Sequence, residues 1–353
     1  MKKMTQQFLV TEEVLQYLSI KGVRIDANGI KLSDDFGFQK ESVGLCEPMI
    51  SVIIPTHNRK SLLEKAIDSV LAQHYSNIQL IVIDDCSSDG TAQFIQQKYS
   101  QNSIDFYRNE IGLHAGRSRQ RGYNSSSGDF VVFLDDDDYY VDSFFFRKAI
   151  KIHNEHLNLA FVAANTFIHY TQTNSIIFSP LNFHGFLNGN KYLGGFQSPF
   201  DKPHSTFPCV FRKSVLEKAD FSKMEMMNDT SIYLRALMNG DAFIMPDFIG
   251  TYLVHDSNIS KSLNVDFIIQ NLEEKHHVYV QSLERGMPGI NKDWLARQCW
   301  ITIKYHLLLS KPDKQSVSEV VSWMKYRQLS FKYKVLVFLL SCRNRIQGNR
   351  RSS

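Results

Sequence analysis

Three short apolar runs in this chain each end at a cluster of polar residues. The runs have the length and the β-branched and aromatic content that mark buried strands. They lie at 50–54, 80–83 and 130–134, and they lead into polar residues at 56–58, 84–85 and 135–138, respectively. Ligands of parallel sheets bind outside the carboxyl ends of the strands, so these three clusters predict a nucleotide-type site.

Segments with helical spacing lie between these runs. Apolar residues recur every three or four positions over 61–72, and turn-forming residues at 87–90 precede a second helical segment at 91–99. A further strand at 104–107 and a helix at 117–123 continue the pattern. The sequence therefore predicts an α/β fold, in which helices cover both faces of a parallel sheet.

The four consecutive aspartates at 135–138 carry the sharpest chemical signal. Adjacent carboxylates repel one another unless a cation lies among them, and oxygen ligands suit Mg²⁺ or Mn²⁺. Taken alone, the run is equally compatible with a solvated acidic loop. A calcium loop is disfavoured, because the alternating Asp-x-Asp-x-Asp-Gly spacing and the later Glu are missing.

The composition is that of an ordinary globular chain and argues against several classes of protein. Of 353 residues, 43% are hydrophobic and 22% are charged, and the net charge of +4 gives no case for nucleic-acid binding. Five scattered cysteines without a Cys-x-x-Cys pair argue against a disulfide framework or a zinc site and favour a reducing compartment. We expect no signal peptide, and no apolar run reaches the roughly 20 residues that a membrane span needs.

Six segments, in their order and spacing, resemble the nucleotide-binding half of the family 2 glycosyltransferases. They lie at 51–58, 69–73, 83–91, 109–112, 119–122 and 128–138. The resemblance implies a GT-A fold, a Rossmann-like α/β sandwich with a mostly parallel central sheet, followed here by a helical C-terminal region. It also implies that a sugar moves from a nucleotide-diphosphate-sugar, with UDP-sugars favoured, to an acceptor hydroxyl with inversion of the anomeric centre.

The resemblance assigns the donor side of the site residue by residue. Pro55, Thr56 and Asn58 match the first nucleotide loop. Asp85 matches the aspartate that hydrogen-bonds the base, and Arg119 matches an arginine near the base and ribose.

The resemblance also implies a metal site at the Asp-x-Asp motif. Asp135 and Asp137 match its two aspartates, and Asp137 is the expected direct ligand of a divalent Mn²⁺ or Mg²⁺. Asp136 lies between them on the donor side and Asp138 follows, so the ligand assignment is open by one position. His255 matches a histidine that binds metal or diphosphate. A cation bridging the diphosphate offsets the charge that grows as the glycosidic bond breaks.

The acceptor side departs from the family pattern. Where the family usually has Glu-Asp before a helix, this chain has Asn228 and Asp229. An inverting transfer needs a base to take the proton of the attacking hydroxyl, and the resemblance assigns that role to Asp229. The alternative role for Asp229 is an N-cap, because Asp and Asn are favoured there. Gln120, where the family more often has Asn, is a second and smaller departure.

We expect three segments: an N-terminal extension at 1–48 with a short helix at 11–18, a catalytic domain at 49–264, and a helical region at 265–353. The stretch 324–345 mixes Lys and Arg with apolar residues. It predicts either peripheral contact with an anionic membrane surface or a helix that packs on the protein or on a second subunit.

The resemblance implies an inverting glycosyltransferase of bacterial surface-glycan assembly that acts on a glycan or a lipid-linked acceptor. We expect it in the cytoplasm or on the cytoplasmic face of the inner membrane. Two alternatives stay open. Asn228 is consistent with a catalytically inactive nucleotide-binding or scaffolding module. A sugar nucleotidyltransferase is disfavoured, because the loop at 55–60 contains no glycine to hold a triphosphate.

Overall fold

The computed structural model describes residues 9–10, 23–26, 29–32, 47–224, 226–256, 264–309 and 313–329. The helix predicted at 11–18 and the part of the basic stretch beyond 329 lie outside these residues. The chain divides into two compact units. Unit 1 contains the described residues up to Tyr192 together with Ser198–His255, and unit 2 contains Leu193–Gln197 and the described residues from Asp256 onward.

The described strands all lie in unit 1. In chain order they are β1 (Leu9–Val10), β2 (Val23–Asp26), β3 (Gly29–Leu32), β4 (Ile50–Thr56), β5 (Ile78–Asp84), β6 (Ile104–Arg108), β7 (Phe130–Phe133), β8 (Tyr139–Tyr140), β9 (Leu159–Tyr170), β10 (Ser175–Ser179), β11 (Gly185–Leu187), β12 (Cys209–Arg212) and β13 (Asp241–Val254). β2 and β3 form a separate two-stranded sheet, and the others form one large sheet.

The described helices follow the predicted pattern closely. They are α1 (Lys60–Leu71), α2 (Thr91–Lys98), α3 (His114–Asn124), α4 (Phe145–Glu155), α5 (Gly189–Gly194), α6 (Lys213–Glu217), α7 (Asp229–Leu237), α8 (Val265–Glu284), α9 (Lys292–Leu309) and α10 (Lys314–Tyr326). A short 3-10 turn spans Phe221–Lys223. The helices predicted at 61–72, 91–99 and 117–123 correspond to α1, α2 and α3.

The large sheet is parallel through the strands that the sequence predicts. β4 pairs with β5 and with β7, and β5 pairs with β6, all in parallel. Beyond β7 the sheet is mixed, because β12 runs antiparallel to both β7 and β9, while β13 runs parallel to β9. The predicted α/β class is confirmed, with the parallel strands forming the half that carries the polar clusters.

β4 is buried along its whole length because helices cover both faces of the sheet. Val52 on one face belongs to the same apolar core as Leu63 of α1. Ile53, which points to the opposite face, meets α3, where a Cβ atom added at Gly122 would lie 2.3 Å from Ile53 Cγ2. This close crossing requires a glycine, and it fixes α3 against the strand whose end carries the first polar cluster.

Unit 2 is helical, as predicted. α9 and α10 both pack against α8, and Trp294, Cys299 and Ile303 of α9 are buried. The indole nitrogen of Trp294 donates a 2.8 Å hydrogen bond to the carbonyl of Leu193, which ties the segment Leu193–Gln197 to this helix. Among the described helices, none has the length and apolarity that a membrane crossing demands.

Candidate active site

The carboxyl ends of β4, β5 and β7 converge, as the sequence predicts. Thr56, at the end of β4, stands opposite Asp84, at the end of β5, in the parallel register. The hydroxyl of Thr56 donates a 2.7 Å hydrogen bond to Asp136 Oδ2, in the loop after β7. The polar clusters that follow the three strands therefore belong to one site.

Three of the four consecutive aspartates point their carboxylates at a common place. Asp135, Asp137 and Asp138 each contribute an oxygen, and these oxygens lie within 4.8 Å of one another. Asp138 Oδ1 accepts a hydrogen bond from the backbone N–H of Leu253, whereas its buried Oδ2 has no hydrogen-bond partner among the described residues. Burial, and then the charges of Asp137 and Asp135, raise the pKa of Asp138 well above its ordinary value. The carboxylate oxygens of these three residues suit a hard divalent cation.

Asp136 turns the other way, towards the loop after β4. Its carboxylate accepts from Thr56 Oγ1 and lies 3.1 Å from Arg59 Nη1. Burial, and then the charge of Asp137, raise the pKa of Asp136 to about 7, although Arg59 and Thr56 oppose this rise. Asp136 thus joins the first nucleotide loop to the acidic cluster. The sequence predicts it to lie on the donor side, between the two metal ligands.

His255 lies at the acidic cluster, beside Asp137, which is also a predicted metal ligand. It directly follows β13, and its Nε2 is 2.9 Å from Asp137 Oδ2. β13 reaches this place because it pairs with β8, the short strand that comes immediately after Asp138. The sheet therefore brings together two predicted metal-binding residues that are 118 positions apart.

The predicted nucleotide loop is joined to the loop after β5. Pro55 is buried inside the end of β4, opposite Ile83. Asn58 has a left-handed backbone, with φ of 53°, which Asn tolerates better than most residues. Its side-chain oxygen accepts from the N–H of Ser88 at 2.7 Å, and its own N–H donates to Ser87 Oγ at 2.9 Å. These bonds hold the two loops as one rim of the site.

Asp85 organises the start of α3. Its Oδ1 accepts hydrogen bonds from Asn109 Nδ2 and from the N–H of Leu113, both at 2.7 Å, and its Oδ2 accepts from the N–H of His114 at 2.8 Å. Burial disfavours the charged form, but these hydrogen bonds outweigh it and lower the pKa of Asp85. In this structure Asp85 holds the loop that leads into α3.

Arg119 lies between the acidic cluster and the predicted base. It is buried on α3, and its guanidinium contacts Asp135 and donates a 2.9 Å hydrogen bond to the carbonyl of Met227. Its Nη1 is also 4.0 Å from Asp229 Oδ1. Burial opposes the charge of Arg119, but the nearby charges of Asp135 and Asp229 raise its pKa. One cation thus links a predicted metal ligand to the predicted base.

Asp229 is the first residue of α7, and Asn228 is the N-cap. Asn228 Oδ1 accepts from the N–H of Ser231 at 2.9 Å, and Ser231 Oγ accepts from the N–H of Asn228 at 3.1 Å, which is a reciprocal capping box. The capping role considered for Asp229 therefore belongs to its neighbour. The Asp229 side chain stays 32% exposed, with Lys202 Nζ 3.6 Å from its Oδ2.

Three residues that sequence reasoning did not assign reach this site. Asp138 was left open by one position, and its place in the aspartate run was the signal for it. Arg59 directly follows the first nucleotide loop, so its position in the motif was a usable signal. Lys202 lies in an irregular segment between β11 and β12, outside α5, where no local pattern marked it.

A family model matches most of the residues that form this site. Residues 51–219 match the model of glycosyl transferase family 2, which covers the nucleotide loops, the aspartate run and β12. These residues are a family 2 glycosyltransferase domain. Asp229 and His255 lie outside the matched residues, so their link to the family domain is the geometry described above.

Curated relatives of the chain carry glycosyltransferase names. A GalNAc(5)-diNAcBac-PP-undecaprenol beta-1,3-glucosyltransferase of Campylobacter jejuni is 31% identical over 206 residues, which is 57% of this chain and 63% of that protein. An uncharacterized glycosyltransferase of Haemophilus influenzae is 33% identical over 114 residues, which is 32% of this chain and 37% of that protein. The chain thus spans less than two thirds of the length of these relatives.

A solved structure shows the same fold. The crystal structure of S. aureus TarS 1–349 in complex with UDP-GlcNAc matches with a TM-score of 0.60 and 16% sequence identity, over 84% of this chain and 88% of that one. At this identity the match bears on the fold alone. It confirms the GT-A architecture that the sequence of the family 2 domain predicts.

Proposed function

We propose that this chain transfers a sugar from a nucleotide-diphosphate-sugar to an acceptor hydroxyl in a single inverting displacement. The observation that carries the proposal is the bridge formed by Arg119, whose guanidinium contacts Asp135 in the acidic cluster and lies 4.0 Å from Asp229. It brings a cluster suited to a donor diphosphate next to an accessible carboxylate suited to an acceptor. In an inverting transfer these two sites lie close together and face the reacting carbon from opposite sides.

Asp135, Asp137 and Asp138 are the residues that would hold a divalent Mn²⁺ or Mg²⁺, with His255 against Asp137. The charges support this assignment. Asp135, Asp136, Asp137 and Asp229 pair with Arg59, Arg119 and Lys202. With Asp138, these five carboxylates exceed the three cationic groups by two negative charges when every group is ionised. When bound, the cation supplies Lewis-acid stabilisation of the departing nucleoside diphosphate.

The other steps fall to side chains of the chain itself. Asp229, partly exposed at the start of α7, accepts the proton of the attacking hydroxyl as the new glycosidic bond forms and the bond to the diphosphate breaks. Arg119, assigned from the sequence to the base and ribose, contacts Asp135, and we propose that it also fixes that carboxylate. Pro55, Thr56, Asn58 and Asp85 form the nucleotide rim.

We propose a UDP-sugar as the donor and a lipid-linked glycan as the acceptor. The Campylobacter relative is named for an undecaprenol-linked substrate, and a relative in Escherichia coli, 37% identical over 93 residues, is named for UDP-Glc and a diphosphoundecaprenol acceptor. Such an acceptor would be met at the cytoplasmic face of a membrane in bacterial surface-glycan assembly. The basic stretch 324–345 would provide the peripheral contact, attracted by anionic lipids.

The inactive-module alternative rested on Asn228, and the capping box gives that residue a structural role. The sugar-nucleotidyltransferase alternative requires a glycine-rich loop after β4 to hold a triphosphate. Residues 55–60, which span the end of β4 and the loop in that position, contain no glycine.

A panel of nucleotide-sugars tests the proposal. Thermal melting is measured with each compound, with and without Mn²⁺, and compounds that raise the melting temperature are tested for release of the nucleoside diphosphate. A ligand at a hundredfold excess over its dissociation constant stabilises the fold by roughly 2.7 kcal/mol, so the correct donor gives a clear shift. We expect a Mn²⁺-dependent shift that the Asp137→Ala variant loses. If neither a shift nor turnover occurs with any nucleotide-sugar, the proposal is wrong.

A further inference from the structure

Lys202 is fixed over the face of α7 from which Asp229 projects. Its Nζ lies 3.6 Å from Asp229 Oδ2, donates a 2.9 Å hydrogen bond to the carbonyl of Pro203, and stands 5.6 Å from the ring centroid of Tyr233. Asp229 and Tyr233 are four residues apart and share one helix face. Tyr233 is fully buried and anchored by a 2.9 Å hydrogen bond to the carbonyl of Ser205. The ammonium therefore rests on a rigid surface.

The two oxygens of Asp229 face two different cations. Oδ2 faces Lys202, and Oδ1 is 4.0 Å from Arg119 Nη1. Arg119 is itself held by the carbonyl of Met227 and by Asp135. A carboxylate between two fixed cations has a restricted rotation, and each of its oxygens keeps a second lone pair for another donor. The partly exposed edge of Asp229 then presents those lone pairs to an incoming hydroxyl.

We propose that Lys202 is a positioning residue, which holds the Asp229 carboxylate in the orientation that accepts the proton of the acceptor. This inference rests on the proposed function, because it takes Asp229 as the base. Lys202 acts through Asp229 and touches no reacting atom. A base that is displaced by about 1 Å loses roughly 10²-fold in rate, so the loss of one of two restraints shows in turnover.

Lys202 contributes little to folding by comparison. Its side chain is 19% exposed and that of Asp229 is 32% exposed, and ion pairs open to water contribute roughly 0–1 kcal/mol. The contact with Tyr233 is long for a cation over an aromatic ring. Removal of the ammonium therefore separates a catalytic effect from a stability effect.

The test compares Lys202→Met, Lys202→Arg and a control, Lys223→Met. Lys223 also pairs with an aspartate, Asp220, at 3.0 Å, but on the surface, with 77% of its side chain exposed. We expect Lys202→Met to lower kcat roughly ten- to a hundredfold with unchanged KM values for donor and acceptor and an unchanged melting temperature. Lys202→Arg, which keeps the charge, should recover most of the rate, and Lys223→Met should match the wild type.

The same substitution in an Asp229→Asn background separates the possible outcomes. If Lys202 acts through Asp229, Lys202→Met changes nothing further once the base is gone. A raised acceptor KM with unchanged kcat would instead make Lys202 an acceptor contact and overturn the inference. So would an additive loss in the double variant, or wild-type turnover of Lys202→Met beside a slow Asp229→Asn. If Asp229→Asn itself keeps full turnover, it is the proposed base that fails.

Discussion

The guanidinium Nη1 of Arg59 lies 3.0 Å from Oδ2 of Asp137. The same carboxylate oxygen is 2.9 Å from Nε2 of His255. A cation bound through this oxygen would share it with a guanidinium that already neutralises part of its charge. The arginine that follows the first nucleotide loop and the predicted metal ligand thus depend on each other, although they are 78 positions apart in the chain.

Arg59→Gln should raise the affinity for Mn²⁺ in the absence of nucleotide. Removal of a positive charge beside the ligands removes both a repulsion and a competing contact, and we expect roughly a tenfold gain, which corresponds to about 1.4 kcal/mol. Calorimetric titration with Mn²⁺ measures it. Lys60→Gln is the matched control, because Lys60 contacts the carbonyl of Asp89 rather than the acidic cluster. Unchanged or weaker binding by Arg59→Gln would show that the guanidinium does not oppose the metal.

Asp138→Asn should weaken Mn²⁺ binding more than Asp136→Asn does. Both side chains are buried, but only Asp138 points its oxygen at those of Asp135 and Asp137, while Asp136 faces Thr56 and Arg59. Asp137→Ala should abolish both Mn²⁺ binding and transfer, with the fold intact. The comparison uses Mn²⁺ titration together with thermal melting. If Asp136→Asn loses the metal and Asp138→Asn keeps it, the ligand set is shifted by one position.

Asp85→Asn should weaken binding of the nucleoside diphosphate and also loosen the entry to α3. The amide would turn an NH₂ group or a weaker acceptor towards the N–H groups of Leu113 and His114, and an unpaired buried donor costs roughly 1–3 kcal/mol. Titration with UDP and melting of the free protein report the two effects separately. Asp105→Asn is the control, because it alters a carboxylate on β6 that accepts a hydrogen bond from Gln79 on β5, away from the site. Normal UDP affinity in a destabilised Asp85→Asn protein would leave Asp85 with the loop role alone.

The strands and helices that form the proposed donor site were predictable, because each is marked by a local pattern in the sequence. An apolar run of strand length followed by polar residues needs no distant partner to be recognised, and β4, β5 and β7 each followed that pattern. The helix α1 was predicted from its spacing, which matches its buried face. Convergence of the strand ends then follows from the parallel topology.

The pairings inside the site were not predictable, because they join residues whose separation no motif encodes. Lys202 and Asp229 meet only after the chain between β11 and β12 folds back over α7. No motif indicates that the guanidinium of Arg119, buried on α3, contacts Asp135 and the carbonyl of Met227. The N-cap of α7 is Asn228 and not Asp229, the residue considered for that role, because Ser231 pairs with Asn228.

His153 should lower the stability of unit 1 as the pH falls from neutral, whereas the raised pKa of Asp136 acts in the opposite direction. His153 is fully buried, with Nε2 2.9 Å from the carbonyl of Val210, and burial lowers the pKa of this imidazole to about 3. An unfolded chain takes up the proton near pH 6.5, so between that pH and about 3 the unfolded state binds more protons, and the free energy of unfolding decreases. The expected loss at pH 5 is roughly 2 kcal/mol.

Urea unfolding at pH 8 and at pH 5 measures this loss. His153→Gln keeps a donor towards Val210 but cannot be protonated, so its free energy of unfolding should fall by roughly 2 kcal/mol less than that of the wild type between pH 8 and pH 5. A variant with the same pH dependence as the wild type would show that other groups account for it, such as His204, whose pKa is lowered to about 4 by burial and then by the charge of Lys202.

Asp229→Asn should abolish most of the transfer while the fold and donor binding survive. Asn228 carries the cap of α7, so the change at the next residue leaves the capping box intact and alters only a charge near the helix start, worth roughly 0.3–1 kcal/mol. An amide cannot take the proton of the acceptor, and the rate should fall by roughly 10²–10⁴. Single-turnover transfer at saturating donor, with melting and UDP titration in parallel, separates the three quantities. Asn228→Ala is the matched control, because it removes the cap but keeps the carboxylate, and it should lower the melting temperature while the rate stays within a fewfold. A stable Asp229→Asn protein with near wild-type turnover would exclude Asp229 as the base and direct attention to Asp135, the next carboxylate held by Arg119.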